Sequence, residues 1–113
     1  MKGVTIMFFP GETVSHGFII PFLPEDIDRV IISYRQKDDI VFEKEITDGF
    51  EQTESDKTFF SFTFSQIDGL CFIDNEKFTI QCNVYTKGGT RHTSRIVKGE
   101  TGKQYYREVI ANA

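Results

Sequence analysis

The stretch FTIQCNVYTKGGTRHT, residues 78–93, constrains the fold of this chain more than any other. Phe78, Ile80, Cys82 and Val84 alternate with Thr79, Gln81, Asn83 and Tyr85. That period of two marks a strand with one face in a core and the other toward water. Lys87-Gly88-Gly89-Thr90 follows it. Paired glycines reach the positive φ angles of tight hairpin turns, so Arg91 to Val97 reads as the returning strand. A lone hairpin is barely stable in water, so further strands must cover its apolar face.

They are present. Thr13 to Phe22 places Val14, His16, Phe18, Ile20 and Phe22 on one side, with Ser15, Gly17 and Ile19 on the other. Asp28 to Gln36 and Ile40 to Ile46 form a second hairpin around Lys37-Asp38-Asp39. Phe50 to Ser55 is a short, charged strand, and Thr58 to Phe64 turns Phe60, Phe62 and Phe64 to one face. Ser65-Gln66-Ile67-Asp68-Gly69 breaks the alternation, with a polar residue leading and an acid three positions on, the pattern of one helical turn. Composition agrees: twelve Phe, four Tyr and no Trp accompany abundant Ile, Val and Thr, side chains that suit a pleated surface. The expected fold is all-β, an immunoglobulin-like two-sheet antiparallel sandwich of about seven strands. It forms one domain over residues 1–113, with a core at 7–97, a short N-terminal extension, and a C-terminal tail that is flexible or a short helix.

Charge and motif narrow the function. The net charge is −4 with no Lys/Arg block, which argues against nucleic acid. No stretch approaches the ~20 apolar residues of a membrane-spanning helix. The opening MKGVTIMFFPGE is broken by Pro10-Gly11 and lacks the features of a signal peptide, so synthesis and folding in the cytoplasm are expected, with Cys71 and Cys82 as free thiols. Ser15, His16 and Glu12 suggest a catalytic cluster by proximity. Neighbours on a strand point to opposite faces, however, and Glu12 lies before the turn, so His16 is expected to be a partly buried, hydrogen-bonded core histidine. His16, His92, Cys71 and Cys82 match no zinc spacing. The acidic groups Glu25-Asp26-Asp28 and Asp74-Glu76 lack calcium-loop spacing. Gly88-Gly89 is followed by a strand, unlike a phosphate loop. No catalytic residue, metal ligand or cofactor is expected, and the chain does not read as an enzyme.

The order of motifs resembles a known group. Pro10-Gly11-Glu12-Thr13, His16-x-Phe18-x-Ile20-Pro21-Phe22 and Ile32-x-Tyr34-x-Gln36-x-Asp38 are followed by Ile40-Val41-Phe42-Glu43-Lys44. Ser65-Gln66-x-Asp68 then precedes Leu70, and Gln81-x-Asn83-Val84-x-Thr86-x-Gly88-Gly89 closes the series. Over about residues 7 to 97 the chain is similar to small β-sandwich structural and accessory proteins of tailed phages and prophages of Firmicutes. The resemblance implies a virion component at tail, baseplate or capsid surface, made in the host bacterial cytoplasm and assembled into the particle. It carries over no catalytic residue. The implied partners are further copies of the chain or a larger phage structural protein. Terminal apolar and aromatic side chains are the expected contacts, Val4, Ile6 and Phe8 at one end and Tyr105 and Tyr106 at the other, with Tyr85 on an outward strand face. The alternative from another class is a carbohydrate- or cell-surface-binding module using Tyr85, Tyr105 and Tyr106.

Overall fold

The computed structural model describes residues 6–94 and 97–110. Nine strands are found among them: β1 (Ile6–Phe8), β2 (Ser15–Ile20), β3 (Ile27–Gln36), β4 (Asp39–Ile46), β5 (Glu51–Glu54), β6 (Lys57–Thr63), β7 (Lys77–Thr86), β8 (Arg91–Thr93) and β9 (Val97–Thr101). The one α-helix among the described residues, α1, spans Gln66–Leu70. Two sheets form. The larger runs β1-β9-β7-β3-β4 with β8 also on β7, and the smaller runs β2-β6-β5. The strands switch sheets in the order of an immunoglobulin-like sandwich, with β2, β5 and β6 on one side and β3, β4, β7 and β9 on the other. The expected all-β two-sheet fold is the fold observed.

Two differences from the expected strands have local causes. The strand returning from the Lys87–Thr90 hairpin is split. Asn83 faces Thr93 and Ile80 faces Val97, so three steps on β7 match four on the returning chain. On the described side of this shift the Ser94 hydroxyl accepts the Cys82 amide at 2.8 Å. The strand then runs on past Gly99 to Thr101, because β1 pairs alongside it in parallel, Ile6 opposite Gly99 and Phe8 opposite Thr101. This parallel pair is the one exception to antiparallel order among the described strands.

The inward faces meet in an aromatic core. Val30, Ile32 and Tyr34 of β3, Phe78, Ile80, Cys82 and Val84 of β7, and Phe60 and Phe62 of β6 are all buried. Phe64, just past β6, is buried with them. Tyr34 lies at the centre, with the rings of Phe64 and Phe72 each 5.5 Å away and edge-on. Edge-to-face rings at this spacing place the positive rim of one over the negative face of another. The many Phe residues are therefore a packed core. β4 adds to it through a register shift between Tyr34 and Arg35, which turns both Val41 and Phe42 inward.

α1 starts as its sequence dictates. The Ser65 hydroxyl accepts the Asp68 amide at 3.1 Å, and the Asp68 carboxylate accepts the Ser65 amide at 3.1 Å. These reciprocal bonds satisfy amides that a helix N-terminus leaves unpaired. A β-carbon at Gly69 would lie 2.7 Å from the Gly11 nitrogen, so glycine there lets α1 rest on the Pro10-Gly11 turn.

Candidate functional site

The histidine singled out by the sequence is structural. His16 is 9 % exposed, deeper than the partly buried position expected. Its Nδ1 shares a hydrogen bond with the Tyr34 hydroxyl, and its ring lies among Phe8, Phe62, Phe64 and Tyr34. Burial holds its pKa below the ordinary 6.5, because a charged imidazolium loses solvation among the surrounding aromatic rings. Burial likewise pushes the Tyr34 hydroxyl well above the usual phenol range. Ser15 points the other way and pairs with Thr63 at 2.6 Å, while Glu12 accepts the Phe9 amide at 2.6 Å. The three candidate triad members do not meet.

The remaining titratable groups form no centre either. Both cysteines are free thiols, Cys71 exposed and Cys82 buried. Burial raises the Cys82 thiol to about 11, against a smaller lowering by the Ser94 hydrogen bond. Among the described residues no three His, Cys, Asp or Glu side chains converge as a metal site would require. Asp74 of the expected acidic loop is instead bound by Arg107.

Of the expected interface residues, the structure moves two inward. Phe8 is 2 % exposed, with rings of Phe64, Phe72 and Phe78 around it. Contact with a partner through Phe8 is thereby excluded, because the parallel pairing of β1 with β9 turns this side chain into the core. Ile6 is half-buried against the same core. Val4 lies outside the described residues. Tyr85 is half-buried on the outer face of the larger sheet, and Tyr105 and Tyr106 are exposed.

The C-terminal segment is neither helical nor loose. Residues 102–110 run without regular structure along one end of the sandwich and are held there by side chains. The Arg107 guanidinium binds the Asp74 carboxylate at 2.5 Å and donates to the Leu70 and Phe72 carbonyls at 3.1 and 2.9 Å. Gln104 donates to the Pro10 carbonyl at 3.0 Å. Gln66 brackets Ile110, donating to its carbonyl at 2.8 Å and accepting its amide at 2.7 Å. Beneath this strap, Gln36 and the Ile73 backbone exchange two hydrogen bonds and Thr101 donates to the Ile73 carbonyl, fixing the loop that carries Asp74.

Apolar side chains are left in water at this end. Phe9, Ile67, Ile73, Tyr105, Tyr106, Val109 and Ile110 are exposed, Tyr105 at 91 %. They belong to the strap and to the segments it crosses, whereas Met7, Ile19, Ile40 and Val97 are scattered over the rest of the surface. The strap thus holds its backbone in place while its apolar side chains face water.

A second feature is the outer face of the larger sheet. The register aligns Arg35 with Thr79, Ser33 with Gln81, and Ile31 with Asn83, with Arg91 opposite Tyr85. Together with Ile40 and Glu43 they line a concavity of about 380 Å³. Sequence reasoning singled out only Tyr85 here. The outward alternation of β3 and β7 was legible, but which strands lie side by side was not.

No family model matches the sequence, and no curated protein does. Two solved structures align over most of the chain. One is the NK cell receptor NKp44, described as a triggering partner in natural cytotoxicity, at 10 % identity and a TM-score of 0.43, covering 92 % of this chain and 100 % of that one. The other is the V domain of amphioxus IgVJ-C2, at 10 % identity and a TM-score of 0.31, covering 86 % and 99 %. Overlap this loose carries no argument about what the present chain binds.

Proposed function

We propose that this chain is a non-enzymatic structural or accessory protein of a phage or prophage virion, at tail, baseplate or capsid surface, and that it works by protein–protein contact. It is made in the host cytoplasm and joins the particle by docking its strapped end against further copies of itself or a larger virion protein. The virion assignment rests on the motif resemblance over residues 7 to 97. The mode of action rests on one observation, the exposed apolar side chains on a tail anchored by Arg107, Gln104 and Gln66.

Two of the sheet edges are poorer candidates. β5 presents Glu51, Gln52, Thr53 and Glu54, all exposed, and β4 presents Asp39, Glu43, Lys44 and Glu45. Charged edge strands discourage pairing with another sheet. At the strapped end Asp74 and Arg107 neutralise each other, and Lys103 and Glu108 are the remaining exposed charges of the strap.

Mass spectrometry of purified particles from the cell that encodes the chain tests the assignment. The chain is expected in the particles at a fixed ratio to a known structural protein. Its presence in the lysate and absence from washed particles would overturn it.

A further inference from the structure

We propose that the outer face of the larger sheet is a binding trough for an acidic oligosaccharide, a sugar chain bearing carboxylates. Ser33, Thr79, Gln81 and Asn83 supply the polar part of its floor, beside Ile31 and Ile40. Hydroxyls and carboxamides both donate and accept, as sugar hydroxyls require of their partners. A peptide has less to bind here. β3 and β7 are interior strands whose backbone groups are paired on both sides, so strand addition, which needs a free edge, cannot occur on this face.

The ends of the trough supply charge. Arg35 lies opposite Thr79 and Arg91 opposite Tyr85. Six residues along β7 separate these positions, about 20 Å at the usual rise of a strand. The trough is therefore long enough for a chain of sugar rings with a guanidinium toward each end. Arg35 makes no hydrogen bond or ion pair among the described residues. Among the described residues the Arg91 side chain donates only through its Nε, to Asn83 Oδ1 at 3.0 Å, and Thr93 donates to the same oxygen at 2.7 Å. That double contact fixes the carboxamide of Asn83 and leaves its amino group and both terminal nitrogens of Arg91 to donate. A guanidinium edge matches a carboxylate with two parallel hydrogen bonds.

The local charge runs against the global one. The chain carries −4 overall, yet three of its five arginines lie on this face: Arg29, ion-paired with Glu45 at 3.6 Å, and Arg35 and Arg91, which line the trough beside the single acid Glu43. Tyr85 acts as a positioning residue and not as a stacking platform. The Arg29 guanidinium lies 4.8 Å from its ring centroid and that of Arg91 6.0 Å, so its ring is already engaged by the arginines it holds in place. Glu43, held by Ser33 at 3.0 Å, stands on the rim and directs carboxylates away from the middle, toward the two ends.

Titration of the full chain with tetragalacturonate, followed through the backbone amide signals of Gln81 and Asn83, tests the assignment. An uncharged glucose tetrasaccharide and hexaglutamate serve as comparison ligands. The uronate is expected to shift both amides and to bind about tenfold more tightly than either comparison ligand. Arg35→Ala and Arg91→Ala are each expected to weaken it about tenfold, while Tyr105→Ser leaves it unchanged, which separates this site from the docking end. Arg35 is solvent-facing, so its replacement is not expected to change folding, and matching melting curves check that. Absence of shifts at millimolar uronate overturns the proposal. So does equal or tighter binding of hexaglutamate, which would point to an acidic peptide, or uronate binding that neither arginine replacement alters.

Discussion

The two terminal segments of this chain look alike in sequence and end up opposite in structure. IMFF at residues 6–9 and QYYREVI at 104–110 are both short, aromatic and outside the clearest strand periodicity. Yet Phe8 is 2 % exposed and Tyr105 is 91 % exposed. The difference lies in what satisfies each backbone. β1 gains a strand partner in β9, and pairing fixes an alternation that sends Phe8 inward. The C-terminal segment has side-chain partners instead, Arg107, Gln104 and Gln66, which bind the backbone but impose no alternation. Each aromatic segment is thus buried or exposed according to whether a sheet edge receives it.

That contrast can be broken in order of size. Phe8→Ala removes a ring packed on Phe64, Phe72, Phe78 and His16 and is expected to destabilise the fold by about 3–5 kcal/mol, read from denaturant midpoints. A loss below about 1 kcal/mol would mean that β1 is not part of the core. Tyr34→Phe leaves His16 buried without its partner and is expected to cost about 1–3 kcal/mol by the same measurement. Arg107→Ala frees two carbonyls and Asp74. The Ile110 amide is then expected to exchange with solvent roughly fivefold faster, while the amides of β7 are unchanged.

A smaller effect is expected in the pH dependence of stability. His16 has a folded pKa below its unfolded value of 6.5, so the unfolded chain takes up a proton first as pH falls. Stability is full above pH 6.5, declines below it, and stops declining on this account once the folded pKa is passed. In His16→Gln the decline just below pH 6.5 should be shallower than in the unsubstituted protein, whatever the absolute stability of the variant. An unchanged slope would assign the acid sensitivity to other groups.

Much of the fold was legible because β3, β6 and β7 carry strict alternation, and alternation is a local property of the sequence. The capped turn at Ser65–Asp68 was legible for the same reason, its two hydrogen bonds lying within four residues. β1 was not. Three residues hold too little periodicity, and their partner lies more than ninety positions away at Gly99 to Thr101. The continuation of β9 was hidden because Gly99 and Thr101 face the core without being large and apolar, and Thr101 is buried by bonding the loop at Ile73 and Glu76. The strap could be guessed only as an aromatic tail. Its anchors join Arg107 to Asp74 and Gln66 to Ile110 across the fold, and nothing local announces such pairs.

The central claim is that the strapped end is the surface through which this sandwich contacts other proteins. Sedimentation velocity tests it most directly, on the chain alone up to high concentration and mixed with the purified products of its neighbouring genes. The account predicts a complex with one of these, or with itself. The Tyr105→Ser/Tyr106→Ser variant should lose that complex while its unfolding midpoint stays within about 0.5 kcal/mol of the parent. A strict monomer in every mixture, or a complex that the double variant forms equally well, would contradict it.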